Sequence, residues 1–246
     1  MLAQRAASEG PRCMRAVESG TASAHCLRGG EKRKDCSTGA VREPIGSSKP
    51  FREVLLIEND DQLRDAVAVV NEHIQAIQDY LGQGSHVDGK VRFPRGFLRP
   101  VSHFRSRLGF IKDVNLRKNL SYALILSDVF RWITNRTDLA GIAKEMVIKN
   151  VIILMGSICE SMAIDGTKGI IGKKHSFCER ASRMVGKGVI DSNLRDKLHW
   201  LWDKRTSIHI YELNHQEYDT YEMADYNKAV TATKELRDSL ERFHGN

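Results

Sequence analysis

The chain has 246 residues, enough for one or two domains around a sizeable core, and its 41% hydrophobic and 28% charged content is that of a globular protein. A net charge of +7 favours polyanionic partners and says nothing of fold. No apolar stretch approaches the ~20 residues that span a bilayer, Arg5 is followed by no apolar core of a secretory signal, and an odd five cysteines suit no disulfide framework, so a cytoplasmic chain without a membrane partner is the expectation.

Residues 1–50 are rich in Gly, Ser, Arg and Lys, with nine basic and five acidic residues and no apolar periodicity. They read as a disordered basic tail, or as an over-extended start with Met14 as an alternative beginning. Cys13, His25, Cys26 and Cys36 lack the paired spacing of zinc knuckles. Val54–Ile57 offers a weak strand. From Asp61 the pattern changes. Leu63, Val67, Val70, Ile74, Ile77 and Leu81 recur at alternating spacings of four and three, with Asn59, Asp60 or Asp61 to start a helix and Gly82 to stop it. Its narrow seam suits a bundle or a helical dimer contact.

Residues 83–112 form a long connection, broken by Gly84, Gly89, Pro94, Gly96 and Pro100, with at most a short helix. Lys90, Arg92, Arg95, Arg99, Arg105, Arg107 and Lys112 occur there without an intervening acid, and Phe93, Phe97, Phe104 and Phe110 are interleaved. Basic residues follow a phosphate backbone while aromatics stack on unpaired bases. The alternative has the phenylalanines plugging a bundle and the cations in solvent.

Asp113–Asn135 reads as a helix with Leu116, Leu120, Leu124, Phe130 and Ile133 on its apolar face. A second long helix follows Thr137-Asp138 and runs to about Ile164. Between Val147 and Met162 it is apolar on most sides, the mark of a central, buried helix. Glu160 interrupts it, either seeking Arg205 or Lys204 as a cationic partner or lying on a polar edge with Lys149 and Gly156. Gly166–Lys174 is glycine-rich and basic, but it has no P-loop signature and no preceding strand, so it reads as a flexible inter-helix loop. A short helix over 175–185 and a longer one capped by Asp191 or Ser192 come next. Asp219–Glu222 resembles a capping box. The last helix carries Tyr226, Ala229, Thr233, Leu236, Leu240 and Phe243 on one face. Five or six helices and no convincing strand make an all-α helical bundle over residues 51–246.

Within the helix from residue 192, Leu194, Leu198, Leu201 and Ile208 form one stripe, and Arg205 occupies a stripe position where an aliphatic residue belongs. His209 follows one turn later on the same face. An unpaired buried arginine is costly, so the pair needs either a buried partner or a groove that admits an anion. In a groove, the guanidinium matches phosphate oxygens and the imidazole moves protons near neutral pH, which suits metal-free cleavage of an RNA phosphodiester. Basic residues and histidine are equally favoured in the last turn of any helix. The nine histidines form no H-E-x-x-H pair, so no metal or other cofactor is expected. Cys159, in the most apolar helix, reads as an inert packing residue.

The order of these features resembles the HEPN superfamily of helical-bundle ribonucleases and RNA-associated domains (the RiboL-PSP-HEPN type), over a core of about 113–243. Ile152–Glu160 is similar to that family's apolar helix ending in a glutamate. Leu198–His209 resembles its helix ending in an Arg-to-His motif, and His209-Ile-Tyr211 resembles the H-x-Y ending of toxin members. Tyr218–Leu240 is similar to the closing helix after a tyrosine-bearing loop. Three residues separate Arg205 from His209, fewer than the family usually has, and counting from Lys204 lengthens the spacing by one. The resemblance implies a metal-independent endoribonuclease working as a homodimer, found in bacterial toxin–antitoxin or phage-defence systems, with an antitoxin or other protein partner. His209 is then general acid/base and Arg205 binds the scissile phosphate. Lys204, Ser207, Tyr211 and Glu160 supply further polar contacts, and the 90–112 stretch holds RNA. A non-catalytic HEPN-like RNA- or protein-binding module is the alternative.

Overall fold

The computed structural model describes residues 56–172, 174–206 and 216–245. Among them are seven α-helices and no strand: α1 (Asp60–Leu81), α2 (Val101–Ser106), α3 (Val114–Arg136), α4 (Gly141–Gly166), α5 (Phe177–Gly186), α6 (Ser192–Thr206) and α7 (Met223–Gly245). The protein is an all-α helical bundle. The helix beyond the expected six is α2, one and a half turns inside the long connection, with a 3₁₀ turn at Val87–Gly89 ahead of it. The basic tail, its cysteines and residues 54–55 of the weak strand lie outside the described residues, and Leu56 and Ile57 have no strand structure.

The chain divides into two compact units, Met1–Ala76 and Ile77–Asn246. Most of α1 belongs to the first. The Asn59 side chain accepts from the Gln62 amide at 2.9 Å, and Gln62 accepts from the Glu58 amide at 2.9 Å, which anchors the helix start. Gly82, at φ 54°, ends it. The predicted seam is there, but no residue of α1 is buried.

The second unit is organised around α4, which packs against α3, α5, α6 and α7, most extensively against α7. Its buried positions Ile148, Val151, Ile152, Met155, Ile158, Cys159, Met162 and Ala163 cover more than one face. Neighbours on several sides explain why it is apolar nearly all round. By length and composition α4 is also apolar enough to cross a membrane, contrary to the expectation that no stretch approaches that length; 56% of that window is buried within the protein.

Local chemistry fixes the other ends. Asp113 caps α3 by accepting from the amides of Asn115 and Leu116 at 2.8 and 3.0 Å. Those bonds hold its carboxyl below the usual range. Ser176 and Glu179 form a reciprocal capping box at α5. Asp191 accepts from the Leu194 amide at 2.7 Å and starts α6. The expected box at Asp219–Glu222 does not form. Asp219 sits at φ 52°, outside any N-cap conformation, and Asp225 accepts from the Glu222 amide at 3.2 Å instead.

Within α3 the expected face is partly corrected. Leu120 and Leu124 are buried, whereas Leu116, Phe130 and Ile133 are half-buried, and the innermost group one turn after Leu124 is Asp128. Arg99 answers it with its backbone amide at 3.0 Å, Nε at 3.0 Å and Nη2 at 2.6 Å, and Arg131 lies 3.4 Å away. Burial pushes the Asp128 carboxyl up, but these donors outweigh it and the net shift is downward.

Candidate functional site

The stripe of α6 packs as its spacing predicts: Leu194, Leu198 and Leu201 are buried against α4, α5 and α7. Arg205 continues the stripe to the last turn and reaches the surface of α4. A Cβ added at Gly156 would meet the Arg205 side chain at 3.0 Å, so the arginine stem lies in the notch that this glycine leaves. The guanidinium carbon sits 4.6 Å over the Trp202 ring, and Trp202 stacks on Phe177 at 5.0 Å. The outer end meets Glu160, with Nη2 at 3.1 Å from Oε2.

Gly156 and Glu160 are one turn apart on α4, and Trp202 and Arg205 one turn apart on α6. Four residues from two helices therefore build one seat. Side-chain exposures of 27% for Arg205 and 32% for Glu160 keep the pair in contact with solvent. Such a pair adds at most about 1 kcal/mol to stability. Glu160 thus has both features weighed for it, a cationic partner and a place on an edge. Lys149 is not on that edge. It is 7% exposed and donates to Glu217 at 2.5 and 2.7 Å.

Lys204 turns to the other side of α6 and lies 5.4 Å from the centre of the Tyr221 ring. Tyr221 is buried and donates to Glu217 at 3.1 Å; burial, then the Glu217 charge, pushes its phenol up to about 12. Glu145 accepts from the Thr220 amide at 3.0 Å. Glu145 and Lys149 therefore pin residues 217–221 to the first half of α4. His209, Ser207 and Tyr211 lie outside the described residues, in the segment that links the end of α6 to this anchored strip.

The basic connection divides. Arg99 is committed to Asp128 and its guanidinium also covers Phe104 at 4.7 Å. Arg107 pairs with Asp238 at 3.0 Å and Glu241 at 3.7 Å. Arg105 reaches the Tyr122 hydroxyl at 3.4 Å. Lys90, Arg92 and Arg95 are exposed. The four phenylalanines serve the bundle. Phe104 and Phe110 are buried, Phe93 lies against Trp132 at 5.0 Å, and Phe97 lies under Arg131 at 5.0 Å. Of the two roles open to these aromatics, packing is the one their positions match.

Two features went unread in the sequence. Gly156 looked like an edge residue, yet it sets where Arg205 lies. Arg180 was passed over inside a short helix, although Phe177, Arg180, Ala181 and Met184 have the same three-and-four spacing that singled out Arg205. All four are buried, and Arg180 is 2% exposed. Among the described residues, no three His, Cys, Asp or Glu side chains gather where a metal ion could be held.

Compared with known proteins, the chain matches no family model, no curated sequence and no solved structure.

Proposed function

We propose that this bundle is a metal-independent endoribonuclease of HEPN type, with the biology of a bacterial toxin or phage-defence protein. His209 is the general acid/base and Arg205 binds the scissile phosphate. The observation that supports the reading is the seat of Arg205. The arginine of the predicted motif lies beside the glutamate of the predicted apolar helix, at 3.1 Å, and both remain open to solvent. A carboxylate on one edge of a guanidinium fixes its plane, and the fork has further N–H donors for a phosphate oxygen. Lys204 belongs to the same last turn and adds positive charge. Exposed Lys90, Arg92 and Arg95 would contact RNA beyond the site. The reading includes a homodimer that brings two such sites together, an antitoxin-like protein partner, and a cytoplasmic setting.

The test is RNA cleavage by the full chain in EDTA, with Arg205→Ala and His209→Ala beside the wild type. The expected outcome is cleavage by the wild type, a loss of about 10²-fold or more in each variant, and unchanged helicity by circular dichroism. A wild type that binds RNA and never cuts it leaves the second reading, a non-catalytic RNA- or protein-binding module. One observation favours that alternative: Glu160 already neutralises Arg205, as in a structural pair.

A further inference from the structure

The corner between α4 and α5 holds a charge that no carboxylate among the described residues pairs with. Arg180 projects from α5 beneath the loop that follows α4. Its Nη1 donates to Thr167 Oγ1 at 2.8 Å and its Nη2 to the Gly172 carbonyl at 3.0 Å; its Nε has no partner. Both acceptors are neutral. Among the described residues no carboxylate forms an ion pair with it, and burial pushes its pKa down. A guanidinium 2% exposed among neutral groups is expensive to hold charged, because it has lost water and gained no counter-charge.

Beside it opens a cavity of about 520 Å³, lined by Arg180, Lys168, Asp165, Ile164 and residues 169–172 of the loop. A second depression of about 240 Å³ shares Ile170, Ile171 and Gly172 and adds Arg183 and Lys187. The loop is folded back on itself, with the amides of Ile170 and Ile171 both donating to Thr167 O at 3.1 Å, and Gly169 takes φ 102°, which favours glycine. Among the described residues Asp165 is the one acid in the lining of either hollow, and its carboxylate accepts from the Lys112 amide at 2.9 Å. Glu179 on the same helix is held by Ser176 at the cap. Of the described residues, four cations and one carboxylate therefore line the two hollows.

We propose that this corner binds a small phosphorylated molecule, its terminal phosphate lying in the larger cavity by Arg180 and Lys168. A phosphate brings the negative charge that Arg180 lacks, and arginine recognises it through several N–H donors. The volume is that of a small-ligand pocket. Ile164 and Ile170, 49% and 41% exposed, provide an apolar rim for the rest of the ligand. A single-stranded RNA backbone calls for a groove with charges spaced along it, whereas here they converge on one loop.

The test uses the full chain with inorganic phosphate and adenosine 5′-monophosphate as probes, at low salt, followed by calorimetry and by the arginine Nε–H resonances. The expected result is saturable binding of both probes with Kd of about 1 mM or tighter, a shift of the Arg180 Nε–H signal, and a loss of about tenfold in Lys168→Gln. Lys168 is exposed and its substitution leaves the core intact, so the test holds even if Arg180→Gln fails to fold. No binding by either probe, or binding unchanged in Lys168→Gln, overturns the proposal. So does a short RNA that binds here equally well with a 5′-hydroxyl and a 5′-phosphate, because the ligand is then the backbone of RNA. The readout is phosphate binding and not RNA cleavage, so it stands or falls separately from the ribonuclease reading.

Discussion

Two corners of the bundle bring an arginine against the core, and they balance its charge differently. Where the connection meets α3, the buried group is the acid: Asp128 has a side chain 1% exposed, and Arg99 reaches in from a partly exposed position with three donors. Where α4 meets α5, the buried group is the base, and among the described residues Arg180 finds a hydroxyl and a carbonyl and no carboxylate. The first corner is electrically complete within the chain and reads as architecture. The second has no carboxylate partner among the described residues, which is the ground for the phosphate site proposed there. Arg205 stands between them, with a carboxylate partner that solvent also reaches. Burial of an arginine is thus a poor guide to function until its counter-charge has been identified.

The largest effect belongs to the complete corner. Asp128→Ala should cost about 2–3 kcal/mol, less than the 3–5 typical of a fully buried pair because Arg99 keeps contact with water. A urea midpoint that does not move would mean the pair is not structural, and the contrast between the corners would collapse. Its pH dependence has a definite sign. The folded carboxyl lies below its usual value. Its contribution is therefore full above the unfolded value near ~3.9 and is lost as pH falls through the lower folded value. An acid scan below about pH 4 should destabilise the wild type more steeply than Asp128→Asn.

Next comes the seat of Arg205. Gly156→Val puts atoms where the arginine stem lies and should cost about 1–2 kcal/mol through overpacking. It should also reduce RNA cleavage in the direction of Arg205→Ala. Cleavage at the wild-type rate in a folded Gly156→Val protein would separate the seat from the chemistry. The smallest effect on stability is expected from Glu160→Gln, within about 0.5 kcal/mol, since both partners are solvated. Because Glu160 fixes the plane of the Arg205 guanidinium, binding of an RNA oligonucleotide should weaken by about two- to fivefold in this variant. Tighter binding would mean that Glu160 competes with the phosphate for Arg205, as in a structural pair.

Much of this was legible in the sequence because apolar spacing and capping are local. The all-round apolarity of 147–162 marked α4 as central, and Asp113, Asp191 and Gly82 fixed ends through bonds to residues no more than four away. The capping box at 219–222 misled because composition does not report φ, and Asp219 is in the left-handed region. Asp128 escaped notice because its partner Arg99 is 29 residues earlier, in a stretch read for nucleic acid. Arg180 carried the signal used for Arg205, but α5 is only ten residues long and a short stripe stands out less. The contact between Glu160 and Arg205 was one of two possibilities; only the glycine notch shows why the arginine lies along α4.

Cys159 gives the bundle an internal clock. Its thiol is fully buried between α4 and α7, lies 3.3 Å from the Thr233 hydroxyl, and burial pushes its pKa up to about 12. Alkylation requires both access and a thiolate, and the closed helices deny both. The rate at which this one sulfur is modified therefore counts how often the two helices part, and a mass-resolved alkylation course would time the opening of the core with no cysteine introduced for the purpose.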